Sequence, residues 1–332
     1  MWKLLTTLLA MPLGALVAAS PAHAIANGES VPDGRYPFAV KLIDNGIPTE
    51  DGGSRDSSCS GGLVAPHWVL TAGHCFKDAD GRRVSRPVAE ESLAAVGRTD
   101  LTGEDGHLVE VVEVRQHGKA DVALARLDRA ITDITPLRLN RQRPAAGQEA
   151  RLVGYGFTKA TATRTPDRLR TGEFEVSSVG TTEMGLSGAS PKSNTSPCER
   201  DSGGPYFTEA DDGTAVIVGV VSRGPACPHT GADIATRVDA VAPWILSIIK
   251  ADLAAASPSP SPNKKTVKKS PASRPRSSAV AGPAAQQPGV PAALTLPPVA
   301  LLSVPVAVVA VIGLAMARRS KRRYRGRRRS HW

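Results

Sequence analysis

The sequence predicts an all-β domain closed by a single helix, and three observations carry that prediction. Short apolar or alternating runs recur through residues 25–253, with Gly, Pro and Asp between them: PFAVKLI, GGLVAPHWVLTA, HLVEVVEV, DVALARL, ARLVGYGF, GEFEVSSV and TAVIVGVVS. Many β-rich segments separated by turn residues read as a sandwich or a barrel. Alternation is the second sign, although in HLVEVVEV it is mixed with apolar pairs at Leu108, Val109, Val111, Val112 and Val114. The third is that a helical pattern is confined to the last run, VDAVAPWILSIIKADL, where Val238, Val241, Ile245 and Ile248 fall on one face.

The elements around this domain follow from composition. Residues 1–24 place Lys3 before an apolar run and end in Ala22-His23-Ala24, the order of a secretory signal peptide with its cleavage site. Export would put the four cysteines in an oxidising compartment, where an even count fits two disulfides. No CxxC pair or close Cys/His cluster has the spacing of a zinc site, and neither metal nor cofactor is expected.

Residues 254–293 are rich in Pro, Ser, Ala and Lys and poor in large apolar side chains, the composition of a disordered linker. Residues 294–317 are read as a transmembrane helix around the uncharged stretch 299–317, which would span roughly 28 Å as a helix. The Lys- and Arg-rich residues 318–332 follow at once, as a cytoplasmic tail should. The expectation is a single-pass membrane protein with an extracellular domain, and a monomer.

The formal charge of +10 would suit a nucleic-acid binder, but its distribution does not. Residues 25–253 hold all 31 acidic residues against 25 basic ones, a net −6; the basic excess lies in the tail. No nucleic-acid partner is expected.

Three stretches carry chemistry. VLTAGHC ends an apolar run on His74, ADVALARL opens another on Asp121, and CERDSGGP sets Ser202 in a glycine-rich turn. A serine hydroxyl is a weak nucleophile until a base takes its proton; imidazole suits that task, and a buried carboxylate fixes its tautomer. The order His, Asp, Ser along the chain is one that such triads use.

Together these motifs resemble the chymotrypsin/trypsin-like serine proteases, over residues 25–253. The resemblance implies two six-stranded antiparallel barrels, with His74 as general base, Asp121 as its orienter and Ser202 as nucleophile. It pairs Cys59 with Cys75 and Cys198 with Cys227. It implies an oxyanion hole from the backbone amides of Arg200 and Ser202. It also implies an ion pair between a free Ile25 ammonium and Asp201, so that cleavage after Ala24 would yield an active enzyme with no further pro-segment. The other histidines, His67, His107, His117 and His229, read as structural.

Two departures stand out. Arg200 occupies an oxyanion position usually held by Gly, where a Cβ restricts the backbone. In the substrate pocket the basal residue is Ser196, as in relatives preferring large apolar side chains, while Asp233 falls at a wall position usually held by Gly. Asp233 would attract a basic side chain or narrow the slot, unless a small insertion shifts it into a turn. Ser222 and Gly224 offer backbone pairing to an extended peptide, with Arg223 where an aromatic is common. The expected partners are protein or peptide substrates. With basic specificity, linker residues such as Lys264, Lys265 and Arg274 would be sites of self-release. The long linker and the Ala-, Arg- and Gly-rich composition suit a membrane-anchored bacterial form. The alternative is a catalytically weak relative that binds peptides or adhesion partners.

Overall fold

A computed structural model describes residues 25–256, all within the first of the two units into which the chain divides, Met1–Pro262. The expected signal peptide, membrane helix and tail, and the expected linker from residue 257 on, lie outside the described residues. Residues 254–256, read as the start of the linker, instead continue the C-terminal helix, and among the described residues no helix is long and apolar enough to cross a membrane.

Alternation of side chains drives two closed sheets. The first barrel runs β2 (Ala39–Pro48), β3 (Ser54–Ala65), β4 (Trp68–Thr71), β7 (Ala123–Leu127), β6 (His107–Gln116) and β5 (Glu91–Val96), closing β5 onto β2. The second runs β9 (Glu149–Gly154), β10 (Arg170–Val179), β11 (Glu183–Ser190), β14 (Asp233–Arg237), β13 (Ala215–Arg223) and β12 (Pro205–Glu209), which returns to β9. Two short strands are added: β1 (Glu29–Ser30) against β10, and β8 (Arg138–Leu139) parallel to β13. In β10 the residues Phe174 and Val176 point into the barrel while Glu173 and Glu175 point out, the period of two that defines a half-buried strand.

The mixed pattern of HLVEVVEV has a structural cause. The register of β6 against β7 shifts between Val111 and Glu113, so Val109, Val111 and Val114 are buried while Leu108 and Val112 are exposed. The helix α1 (Val238–Ala256) also differs by one position from expectation. Its buried face is Val238, Val241, Ile245 and Ile249, with Ile248 only partly covered, because the contact stripe follows steps of three, four and four. The side chain of Asp252 fastens α1 to the first barrel by accepting from the amide of His67 at 2.8 Å and meeting its Nδ1 at 2.7 Å.

Candidate active site

His74 sits in a one-turn 3₁₀ helix (Gly73–Cys75) directly after β4. The Cys59–Cys75 disulfide ties that turn to β3, and Gln116 Nε2 donates to the Gly73 carbonyl at 2.8 Å. Closing a loop of that size stabilises by about 3 kcal/mol in the chain-entropy picture. Asp121 precedes β7. Its Oδ1 accepts from the His74 amide at 2.9 Å, and its Oδ2 accepts from His74 Nδ1 at 2.7 Å and from Ser222 Oγ at 2.7 Å. Burial alone would raise this carboxyl; the hydrogen bonds and charge from His74, with the Ser222 bond, outweigh it and hold the pKa at about 2. Arg83 adds a guanidinium 3.8 Å from Oδ1, a neighbour that no sequence motif marks.

Ser202 lies in the turn between Cys198 and β12. Its carbonyl accepts from the Ser60 amide at 2.9 Å, and Cys75 Sγ is 3.9 Å from the same oxygen. The next residue, Gly203, takes φ +83°, and a Cβ there would lie 2.0 Å from Thr71 Oγ1 and 2.8 Å from the Ala72 amide nitrogen. Only glycine lets this turn press against the end of β4 and so bring the serine to the histidine's side. Among the described residues no hydrogen bond joins Ser202 Oγ to the His74 ring. Such contacts are often long in a free enzyme and tighten with substrate.

Arg200 adopts φ +78°, the left-handed conformation a glycine would take. The Cβ costs of order 1–2 kcal/mol there, and three contacts retain it. The carbonyl accepts from Ser60 Oγ at 3.1 Å, Nη1 donates to Ser57 Oγ at 2.8 Å, and the guanidinium lies 5.6 Å from the Phe157 ring centroid. Among the described residues neither the Arg200 nor the Ser202 amide donates to another protein group. Since the backbone already holds the glycine-like angle, Arg200→Gly should change kcat by less than about threefold, under 1 kcal/mol. A gain of about 100-fold in steady-state turnover would instead mean that the Arg200 amide is turned away.

Asp201 is fully buried. Its carboxyl accepts from the amides of Gly156 at 2.7 Å and Cys198 at 2.9 Å, and from the backbone N–H of Ile25. Burial pushes its pKa up to about 7 in spite of these bonds. Ile25 is itself buried among the side chains of the second barrel. The residues after it are fastened in place: Ser196 N donates to the Ala26 carbonyl at 3.2 Å, Asn27 Nδ2 to Asn194 Oδ1 at 3.0 Å, and the buried Arg170 to the Gly28 carbonyl at 2.8 Å. The role of Arg170 has no counterpart in the sequence motifs.

Beside Ser202 opens a cavity of about 330 Å³, whose walls include Ser222, Arg223, Gly224, Cys227 and Asp233. The Cys198–Cys227 disulfide joins the nucleophile's loop to this wall. Asp233 is buried, and its Oδ1 lies only 1.8 Å from where a Cβ on Gly224 would sit, so it belongs to the cavity and not to a displaced turn. The reading of Ser196 as the pocket base is corrected. It does not line the cavity but is fully buried, bridged to Ala26, with its Oγ accepting from the His229 amide at 3.3 Å, and Asp233 is the residue the cavity reaches. Arg223 turns to Glu183 in a paired contact at 2.7 and 2.8 Å. Of the histidines read as structural, His229 comes within 3.3 Å of Asp233. Among the described residues no group of three or more His, Cys, Asp or Glu side chains could hold a metal ion.

Paired six-stranded barrels bearing this triad order and a glycine-tight nucleophile turn define one class, the trypsin-like serine protease domain. The chain belongs to the trypsin family, whose model, described as Trypsin, matches residues 25–245. Among curated proteins it is similar to glucanase inhibitor protein 3 of Phytophthora infestans, 28% identical over 239 residues, covering 64% of this chain and 86% of that one. It is likewise similar to glucanase inhibitor protein 2 of Phytophthora sojae, 26% identical over 250 residues, with 68% and 79% covered. A third relative is the serine proteinase stubble of Drosophila melanogaster, 25% identical over 259 residues, 71% of this chain and 32% of that one.

Proposed function

We propose that the protein is a serine endopeptidase that hydrolyses peptide bonds through an acyl-enzyme. The observation that carries this reading is the double hydrogen bond from His74 to a carboxylate held ionised at about 2. With Nδ1–H committed to Asp121, Nε2 carries the lone pair and takes the Ser202 proton as Oγ attacks the scissile carbonyl. The tetrahedral oxyanion is received by the amides of Arg200 and Ser202, and the imidazolium then returns its proton to the leaving amine. A P1 side chain would enter the cavity ending at Asp233, which favours arginine or lysine once that carboxyl is ionised. Ser222 and Gly224 would pair with the extended peptide.

Cleavage after Ala24 would convert the Ile25 N–H at Asp201 into an ammonium, completing the pocket without a separate zymogen step. The uncharged residues 299–317 and the basic run after them support a membrane tether with the domain outside.

A second reading is favoured by the names of the glucanase inhibitor relatives. It is a weakly catalytic module that uses the same cleft to bind a protein partner. Labelling with a fluorophosphonate separates the two. The endopeptidase should be modified stoichiometrically at Ser202, with no labelling of Ser202→Ala, whereas an unreactive Ser202 in folded protein would favour the binding module.

A further inference from the structure

At Asp233, one of the residues that line the cavity, the ring of His229 faces the carboxyl with too few protons between them. His229 Nδ1 lies 3.0 Å from the Gly231 carbonyl, which can only accept, so the hydrogen is on Nδ1. In the neutral ring Nε2 is then a bare lone pair, and it lies 3.3 Å from Asp233 Oδ1. Two acceptors at that distance repel unless one proton stands between them. Neither His229 Nε2 nor Asp233 Oδ2 has a hydrogen-bond partner, and both are buried.

The surroundings favour retention of that proton. Asp233 is 2% exposed and its carboxyl is pushed up to about 8, first by burial and then by the charge of Asp201, while burial draws His229 down. From β12 comes the Tyr206 hydroxyl, buried, without a partner and held neutral by its own burial. Arg223 on β13 and Glu183 on β11 neutralise each other at the surface. Glu199 lines the cavity from the nucleophile's loop, and Asp201 faces the Ile25 backbone. Among the described residues no lysine or arginine forms an ion pair with Asp233.

We propose that His229 is a specificity-determining residue that shares a single proton with Asp233. While the pair holds the proton it presents no net charge and the cavity accepts uncharged side chains. On releasing it the pair becomes anionic and the cavity accepts arginine or lysine. A cationic side chain entering below the pair's apparent pKa therefore expels one proton to solvent, whichever of the two groups carried it. This rests on the reading of the cavity as the P1 site.

Benzamidine, an arylamidinium that stays cationic throughout, tests it on the full-length protein by calorimetry between pH 5.5 and 8.5. Below the pair's apparent pKa, Kd should fall about tenfold per pH unit and then level off. Titrations in two buffers of different ionisation enthalpy should show release of about one proton per benzamidine on the acid side. In His229→Gln the side-chain amide can donate to the carboxylate where Nε2 could only accept, so the fall in Kd should move to lower pH by about one unit. A profile unchanged from wild type would place the proton on Asp233 alone and overturn the sharing. Asp233→Asn should bind weakly and without pH dependence. If wild type binds benzamidine with no proton release and a flat Kd, the shared proton is wrong although the P1 reading survives. If benzamidine fails to bind at any pH, both fail. The proton count needs no variant, so misfolding of a mutant leaves the proposal testable.

Discussion

Asp121→Asn should lower kcat about 10⁴-fold on a peptide substrate while leaving the fold intact. The carboxylate accepts three hydrogen bonds, from the His74 amide on one oxygen and from His74 Nδ1 and Ser222 Oγ on the other. An asparagine can offer an oxygen to only one side. With its NH₂ toward the ring, Nδ1 must become the acceptor, the proton moves to Nε2, and the ring can no longer take a proton from Ser202. With its NH₂ toward the His74 amide, two donors meet and the turn is pushed away. The steady-state rate and the thermal midpoint should be measured together. A large fall in rate with little change in the midpoint is expected, and a loss under about tenfold would remove the base from the mechanism.

The second large effect concerns Ile25. A mature chain that begins at Ile25 should turn over about 100- to 1,000-fold faster than one carrying an extra residue before it, the cost of an unformed oxyanion donor. The physical source is Asp201, whose three backbone donors do not offset its burial and leave its pKa at about 7. The unfolded carboxyl titrates near its ordinary value of 3.8, so the folded extended chain binds more protons between these two values. Its stability is therefore fully present below about pH 4 and is lost as pH rises through about 7, by roughly 4 kcal/mol in all. A free Ile25 ammonium pairs with the carboxylate and removes that loss. Urea midpoints of the two forms should accordingly converge at pH 4 and separate by pH 8. Identical midpoints and rates at pH 8 would mean that the ammonium never reaches Asp201.

How much of this was legible before the fold depends on the length scale of each signal. TAGHC and DSGGP are local; the first marks the histidine bonded to Asp121, and the second marks the serine beside the cavity. Strands with strong alternation, such as β10, were equally plain. Those missed have a reason in their composition: half of β5 is Ala and Ser, most of β11 is Gly, Ser and Ala, and β12 opens on Pro205. Such residues carry weak β propensity, and pairing with neighbours from far along the chain supplies what they lack. The polar first half of β3 is exposed for the same reason that its alternation is faint, since it extends the hairpin with β2 beyond the core.

By themselves, the residues determined the all-β character, the family motifs with their order and the cysteine inventory, because each is written in a short contiguous stretch or in simple composition. Only the tertiary structure decided that Arg200 keeps a glycine-like φ, that Asp233 and not Ser196 meets the cavity, and that His229 leaves its structural role to face a carboxyl. Those outcomes turn on backbone angles and on separations of a few ångströms between groups brought together by barrel closure. Protonation and charge follow such distances and the burial around them, and neither exists until the sheets have closed.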